Sequence, residues 1–356
     1  MNFSKTLVTW YETHKRDLPW RHTKDPYRIW LSEIMLQQTQ VKQGLPYYEK
    51  FISNFPTVED LAKADEDVVM KLWQGLGYYS RARNLHFTAK YVSNHLNGKF
   101  PSNYKDLLKL KGVGQYTAAA IASFAYNETV AVVDGNVYRL LARLHGISTP
   151  INSSEGEKNF KKIAEDLLSD ENPGIHNQAM MEFGAIQCKP KTPKCMFCPF
   201  QNECVAFQTN QIDTLPVKLK KIKIKHRYLN FLVFEDQNKQ TLVEKRTAKG
   251  IWQNLYQFPL IEAEKKLTSL SKETVDDLFP SEISGIISIE KINQKSIKHQ
   301  LTHQKLHADF WKVYFKSDLK SFPTTSKAEV SELDKVKTYA VPVLIQNFIE
   351  SDFFKA

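Results

Sequence analysis

All four cysteines of this 356-residue chain fall within one short stretch, at Cys188, Cys195, Cys198 and Cys204. The spacing is C-x6-C-x2-C-x5-C, and no thiol remains elsewhere. Four clustered thiolates suit a metal or an iron–sulfur cluster better than a disulfide framework. Zinc sites usually carry two close C-x2-C pairs or add histidines, whereas here one pair is close and no histidine lies within the stretch. A [4Fe–4S] cluster is therefore the expected cofactor, with zinc and a pair of disulfides as the alternatives. Disulfides would suit a secreted protein, yet Met1–Lys15 lacks the apolar run of a signal peptide. A reducing, cytoplasmic setting is expected instead.

The length allows two domains, each with its own core. No window approaches the ~20 apolar residues of a membrane-spanning helix, which argues against a membrane partner. Lysine and arginine outnumber the acids by 49 to 39, a net charge of +10. That excess suits a polyanionic partner, most simply nucleic acid.

From Phe3 to about Ala206 the apolar residues recur at helical spacing. Phe3, Leu7, Trp10 and Tyr11 share one face; Ile29, Trp30, Ile34, Leu36 and Val41 make another series. An all-α domain over residues 1–212, closed by the cysteine loop, is the expectation. At Asp213–Lys225 (DTLPVKLKKIKIK) proline and lysines replace the amphipathic pattern, so 213–225 reads as a basic linker that could lie along phosphates, or as a solvated strand. Beyond it Tyr228–Phe234, Gln240–Lys245 and Ala308–Phe315 alternate like strands, and Val341–Phe354 has helical spacing. An α+β domain over 226–356 follows.

Three segments invite a chemical reading. In Leu110–Phe124, Gly112 and Gly114 permit a tight turn between helices, and the helix starting near Gln115 offers free N–H groups to a phosphate. In Thr129–Val137, Asp134 precedes Gly135 and Asn136 where a helix should begin. An N-cap and a carboxylate at the mouth of a cleft are both compatible with that position. In Ile29–Thr39, Glu33 shares a helical face with Trp30, Leu36 and Gln37. A carboxyl against apolar surface can stay protonated at neutral pH and act as a general acid; a solvated surface glutamate is the plainer alternative.

Taken with LPWR (Leu18–Arg21), SEIMLQQT (Ser32–Thr39), GLGYYSRARNL (Gly75–Leu85), KGVGQYTA (Lys111–Ala118) and VDGNV (Val133–Val137), the cysteine loop resembles that of the MutY-type adenine DNA glycosylases. These belong to the helix-hairpin-helix, endonuclease III-like superfamily. The resemblance covers residues 1–206 densely and the second domain more loosely. It implies an all-α helix-hairpin-helix domain followed by a Nudix-like α+β domain. The implied activity is hydrolysis of the N-glycosidic bond of adenine mispaired with 8-oxoguanine, or with guanine, in duplex DNA, by a monomer.

The resemblance assigns roles residue by residue. Glu33 matches the acid that protonates adenine at N7, and Asp134 the carboxylate that stabilises the sugar cation. Asn136 matches a residue that positions Asp134. Tyr116 stands where bifunctional relatives carry a Schiff-base lysine, and a phenol cannot form an imine; a monofunctional enzyme leaving an abasic site is implied. Leu18, Trp20, Arg21 and Gln178 match residues around the extruded base, although relatives often carry Glu at the last position. Gln38 and Tyr78 match wedges in the duplex. Gly112, Val113 and Gly114 match the phosphate-gripping hairpin, with Lys111 a further phosphate contact. The lysine-rich KPKTPK loop between Cys188 and Cys195 would be held against the DNA backbone.

In this family the second domain reads 8-oxoguanine. After Gly250 the chain has no R-E-x2-E-E, so a metal-dependent Nudix hydrolase is not expected. The reading loop, often Phe-Ser-His in relatives, is matched here by Leu301-Thr302-His303. Thr302 and His303 keep the hydroxyl and the imidazole, while Leu301 lacks the aromatic ring. His303 and His307 at i, i+4 suggest a metal only if helical, and the residues that follow alternate like a strand. The competing readings are a bifunctional endonuclease, which needs the lysine replaced by Tyr116, and a DNA-binding redox protein, which has no use for Glu33 or Asp134.

Overall fold

The computed structural model describes residues 2–219, 224–277, 285–321 and 328–351. The chain packs as two compact units. The first takes the chain up to Lys63 and resumes at Asn84; the second takes Ala64–Arg83 together with the chain beyond residues 220–223.

The first unit is helical. It is built from α1 (Phe3–His14), α2 (Pro26–Leu36), α3 (Val41–Asn54) and α4 (Val58–Lys63), and, after α5 (Glu66–Trp73), from most of α6 (Ser80–His95). Then come α7 (Tyr104–Leu107), α8 (Gln115–Tyr126), α9 (Gly135–His145), α10 (Ser154–Leu167), α11 (Pro173–Glu182) and α12 (Val205–Gln208). Local chemistry sets several boundaries. Asp25 caps α2 by accepting from Tyr27 N–H, with Pro26 in the first turn, and Asn127 and Gly146 close α8 and α9 in the left-handed region. The helical series read over Ile29–Val41 is interrupted: α2 stops at Leu36, Gln38 adopts φ 56°, and a new helix starts at Val41. Leu7, Trp10, Leu140, Phe160, Met180, Phe183 and Phe200 form one core, against which Cys188, Cys198 and Cys204 pack.

The stretch Asp213–Leu219 does not run free. Leu215 is buried in that same core with Val217 packed beside it. Ile151 N–H donates to the Val217 carbonyl (3.0 Å), and Leu219 N–H to Asn152 Oδ1 (2.8 Å). Its apolar residues give it something to bury, which a lysine-rich composition conceals. Residues 220–223 lie outside the described residues, and Lys225 opens a strand.

The second unit is α+β. A sheet in the order β4-β1-β7-β5, with β6 also on β7, combines β1 (Lys225–Glu235), β4 (Leu260–Ala263), β5 (Ile286–Lys291), β6 (Ile297–Gln300) and β7 (Gln304–Phe315). The β1–β7 pairing is parallel over its whole length, from Lys225↔Gln304 to Glu235↔Tyr314. Long apolar runs in both central strands fit a sheet covered on both faces. A second sheet holds β2 (Gln240–Lys245) between β3 (Tyr256–Gln257) and β8 (Ala328–Glu332). The short helix α13 (Lys272–Asp276) and the closing α14 (Val343–Ile349) complete it, the latter stacking Phe348 on Phe310 at 3.7 Å. The helix read over Val341–Phe354 is thus α14; residues 352–354 lie outside the described residues.

Phe160 is fully buried on α10 and meets the Tyr138 ring edge-on at 5.3 Å. Phe160→Ala should destabilise the first unit by about 3–5 kcal/mol, read as a lowered urea midpoint of its unfolding transition.

Candidate active site and cysteine pocket

A cavity of about 150 Å³ in the first unit gathers eight of the residues singled out by sequence: Leu18, Trp20, Arg21, Glu33, Tyr116, Asp134, Asn136 and Gln178. They come from five separate segments. Glu33 projects from the third turn of α2 and is 4% exposed. Tyr116, second residue of α8, donates its hydroxyl to Glu33 Oε2 at 2.5 Å. Asp134 caps α9. Its Oδ1 accepts from Asn136 N–H (2.9 Å) and Val137 N–H (2.8 Å), and its Oδ2 from Asn136 Nδ2 (2.6 Å). Capping and lining the cavity are therefore simultaneous, as each uses different lone pairs.

The two carboxyls differ in what holds them. Burial raises the Glu33 pKa to about 7; the Tyr116 hydroxyl opposes this, and the nearby Asp134 adds to it. Burial raises Asp134 as well, but three hydrogen bonds and the Arg139 guanidinium oppose the rise. Asp134 is the anion with more hydrogen bonds, so a proton shared by the pair resides on Glu33.

Residues that no motif pointed to complete the walls. Glu182, 1% exposed at the end of α11, accepts from Arg16 N–H (2.9 Å), Arg16 Nε (2.8 Å), Arg16 Nη2 (2.7 Å) and Arg21 Nη2 (2.7 Å). Arg21 Nη1 also donates to the Arg16 carbonyl (3.0 Å), so the Arg21 guanidinium is fixed in plane. Tyr11 donates to Gln178 Oε1 (2.8 Å), orienting that amide. The one sequence signal for Glu182 is an acid in the apolar stretch AMMEFGA, which asks for a buried partner.

Arg139 sits one turn below Asn136. It donates to Asn136 Oδ1 (2.8 Å), to the Gly184 carbonyl (2.6 Å) and to the Cys188 carbonyl (2.8 Å). A turn further, Arg143 donates to the Lys189 carbonyl (2.7 Å) and the Pro190 carbonyl (3.1 Å), and approaches Cys188 Sγ at 3.5 Å. The four cysteines line one pocket with Leu144, Phe183 and Phe200, and with Arg143, Gln187, Lys194 and Gln201. Among the described residues no three His, Cys, Asp or Glu side chains converge to hold a single metal ion. Burial pushes the Cys198 thiol up to about 11, and the neighbouring thiols add to the rise.

The hairpin residues lie apart from the cavity's lining. Gly112 adopts φ 80°, and a Cβ there would come within 2.7 Å of Asn84 Cβ. Val113 is buried, and Gly114 is the N-cap of α8. Gln38 is exposed just beyond α2.

In the second unit a cavity of about 500 Å³ is bounded by the Gly75–Tyr79 turn, by Trp252 and by His299–Gln304. Thr302 and His303 form the two-residue tip of the β6–β7 hairpin, closed by Leu301 N–H to the Gln304 carbonyl (2.8 Å). Thr302 Oγ1 lies 3.1 Å from the Tyr78 hydroxyl. His307 is on β7, not in a helix, and stacks with His226 and Tyr228. The i, i+4 metal reading of His303 and His307 therefore fails.

Residues 31–166 match the family model of the HhH-GPD superfamily base excision DNA repair proteins, and residues 229–351 that of the NUDIX domain. The solved structure of a thermostable thymine-DNA glycosylase aligns with a TM-score of 0.54 at 35% identity, over 58% of this chain and 95% of that one. The fold and cavity thus define a DNA glycosylase of the helix-hairpin-helix class. The adenine DNA glycosylase of Buchnera aphidicola subsp. Schizaphis graminum is 37% identical over 86% of this chain and 85% of that protein. The adenine DNA glycosylase of Buchnera aphidicola subsp. Baizongia pistaciae is 35% identical over 98% and 95%. The chain belongs to this adenine DNA glycosylase family, the MutY-type enzymes, and residues 229–351 within its second unit are the Nudix-like domain. No helix among the described residues is long and apolar enough to cross a membrane.

The buried ion cluster carries a pH signature. Burial alone would raise the Glu182 pKa, but the hydrogen bonds from Arg16 and Arg21 outweigh it and hold the carboxyl at about 2. A depressed carboxyl contributes stability that is present above its unfolded pKa and lost as pH falls towards its folded one. Stability should therefore decline from about pH 4.5 towards pH 2. Glu182→Gln should flatten that decline in urea titrations at stepped pH, while costing about 3 kcal/mol at neutral pH for the uncompensated arginines.

Proposed function

We propose that this enzyme excises adenine mispaired with 8-oxoguanine, and more slowly adenine opposite guanine, from duplex DNA. The observation that carries the reading is the pair of carboxyls on one cavity, with the proton held by Glu33. Neutral Glu33 gives that proton to N7 of the extruded adenine. The C1′–N9 bond breaks with its electron pair leaving on the base, and the Asp134 carboxylate faces the cation at C1′. Water then adds at C1′ and loses a proton to the Glu33 carboxylate, restoring the acid and leaving an abasic site. Tyr116 supports a monofunctional outcome, since its hydroxyl is committed to Glu33 and there is no amine to form an imine. Leu18, Trp20, Arg21 and Gln178 would surround the adenine, and Asn136 orients Asp134. Gln38 and Tyr78 would fill the space the base leaves, and Gly112, Val113 and Gly114 would grip phosphate.

The four cysteines would hold a [4Fe–4S] cluster. Its contribution, when bound, is to fasten the loop carrying Lys189, Lys191 and Lys194, which then faces the DNA backbone. The Tyr78–Thr302 contact and the cavity beside it support the second unit as the reader of 8-oxoguanine through Thr302 and His303.

A duplex oligonucleotide with adenine opposite 8-oxoguanine should become alkali-labile at the adenine; an intact strand with enzyme in excess would sink the proposal. Borohydride should trap little covalent complex, and efficient trapping with strand scission would contradict the monofunctional assignment. Glu33→Gln should keep mispair binding and lose about 10²–10⁴-fold in excision rate.

The single-turnover rate should fall as pH rises through about 7, because Glu33 must be protonated. It should fall again on the acid side as Asp134, which must be ionised, takes up a proton. A profile flat from pH 6 to 9 would remove Glu33 from the acid role.

A further inference from the structure

Ala64–Arg83 lies in sequence among the helices of the glycosylase domain, yet it packs as part of the second unit. The reason is a polar clasp around α5. At its start, Glu66 Oε1 accepts from Asn254 Nδ2 (2.5 Å). Asp67 accepts from Lys245 Nζ (2.5 Å) and from the Tyr256 hydroxyl (3.2 Å). A turn later, Lys71 Nζ donates to the Lys337 carbonyl (2.6 Å), the Tyr339 carbonyl (2.9 Å) and Gln74 Oε1 (3.1 Å). Gln74 Oε1 in turn faces Val341 N–H (3.4 Å). Beyond the turn, Arg83 Nη1 donates to the Gln253 carbonyl (2.8 Å). The turn between these anchors is the one that carries Tyr78.

That turn needs external support. Gly75, Gly77 and Tyr78 all take positive φ, at 102°, 69° and 45°, and a tyrosine in this region is strained. Tyr78 is 48% exposed, and its ring meets the Arg81 guanidinium at 5.4 Å. Its placement comes from the backbone on either side, and that backbone is tied by α5 to β2, β3 and the segment leading into α14.

We propose that Lys71 and Asp67 are positioning residues for mispair discrimination: they make Tyr78 part of the same rigid body as Thr302 and His303. The proposal rests on the reading of the second unit as the lesion reader. It extends that reading from the hairpin tip to a clasp on the helix preceding Tyr78. The wedge and the reader are then set in mutual register by the second unit, and the Tyr78–Thr302 contact is maintained by residues that need not touch DNA.

The test measures single-turnover excision of adenine opposite 8-oxoguanine and opposite guanine. It uses the full chain with its cluster, as wild type, Lys71→Met, Lys71→Arg, Tyr78→Phe and the Lys71→Met/Tyr78→Phe double variant. Lys71→Met removes the donors and keeps the stem. It should lower the ratio of the two rates about 5- to 10-fold, as expected for lost charged hydrogen bonds. Lys71→Arg should recover most of the ratio. In the Tyr78→Phe background, Lys71→Met should add less than a factor of two, since both act on one contact.

Equal losses on the two substrates would make Lys71 a DNA contact or a stability residue and overturn the proposal. So would an unchanged ratio or independent, multiplying effects. If Lys71→Met fails to fold, Asp67→Asn is carried through the same ratio and the same Tyr78→Phe background, with the same criteria. Wild type that excises adenine opposite neither base would instead overturn the functional reading itself, so the two failures are distinct.

Discussion

The start of α9 is the point on which the first unit depends. Asp134 satisfies two N–H groups of the opening turn and takes a third hydrogen bond from the Asn136 side chain. From that fixed end the helix runs about three turns, placing Arg139 and Arg143 on one side and Val137, Leu140, Leu141 and Leu144 in the core. The arginines tie three successive carbonyls, Cys188, Lys189 and Pro190, to the helix. One element thus orients a carboxylate in the cavity and shapes the mouth of the cysteine pocket. An N-cap aspartate is worth about 1 kcal/mol as a cap alone. Here its value is geometric, because both ends of the arginine ladder take their positions from it.

The charge arrangement around the cavity follows from the same economy. Arg16 and Arg21 bring two positive charges against Glu182, while Arg139 faces Asp134 through Asn136. Glu182 is held ionised by two arginines and Asp134 takes three amide hydrogen bonds, so Glu33, given a single phenolic hydroxyl, is the group left to carry a proton. A lysine at 116 would reverse this, since an ammonium beside Glu33 would favour the carboxylate. Tyrosine there does two things at once: it withholds an imine-forming amine, and it leaves the Glu33 pKa high.

Much of this was legible in the sequence where the signal is local. Gly112 and Gly114 announce the hairpin, Asp134-Gly-Asn announces a cap, and the alternation in Tyr228–Phe234, Gln240–Lys245 and Ala308–Phe315 marks β1, β2 and β7. The Glu33, Tyr116 and Asp134 side chains were expected at one site, and they line one cavity. What stayed hidden depends on distance along the chain. Glu182 and Arg16 are 166 residues apart, and an acid among apolar residues says that a partner exists without saying which. Segment 64–83 was hidden differently: Val69, Met70 and Trp73 give α5 an apolar face, and such a face fits either core equally well. The interruption after Leu36 escaped because Gln-Gln-Thr-Gln contains neither glycine nor proline, yet Gln38 takes positive φ in a turn closed by Thr39 N–H to the Leu36 carbonyl.

The replacement of the usual aromatic by Leu301 alters what the hairpin tip can offer, but it does not strip the second unit's cavity of rings. Trp252, at φ 61° and 6% exposed, lines that cavity, and its ring lies 6.2 Å from His299. Tyr78 and Tyr79 line it from the turn after α5. A tryptophan in the left-handed region costs of order 1–3 kcal/mol, so the loop from Arg246 to Leu255 must be held by its surroundings. It is: Arg246 N–H donates to the Leu255 carbonyl, Asn254 N–H to the Arg246 carbonyl, and Arg246 Nη1 to Gln257 Oε1. An aromatic wall is thus built into the scaffold of this domain, on a braced loop, independent of the residue at position 301.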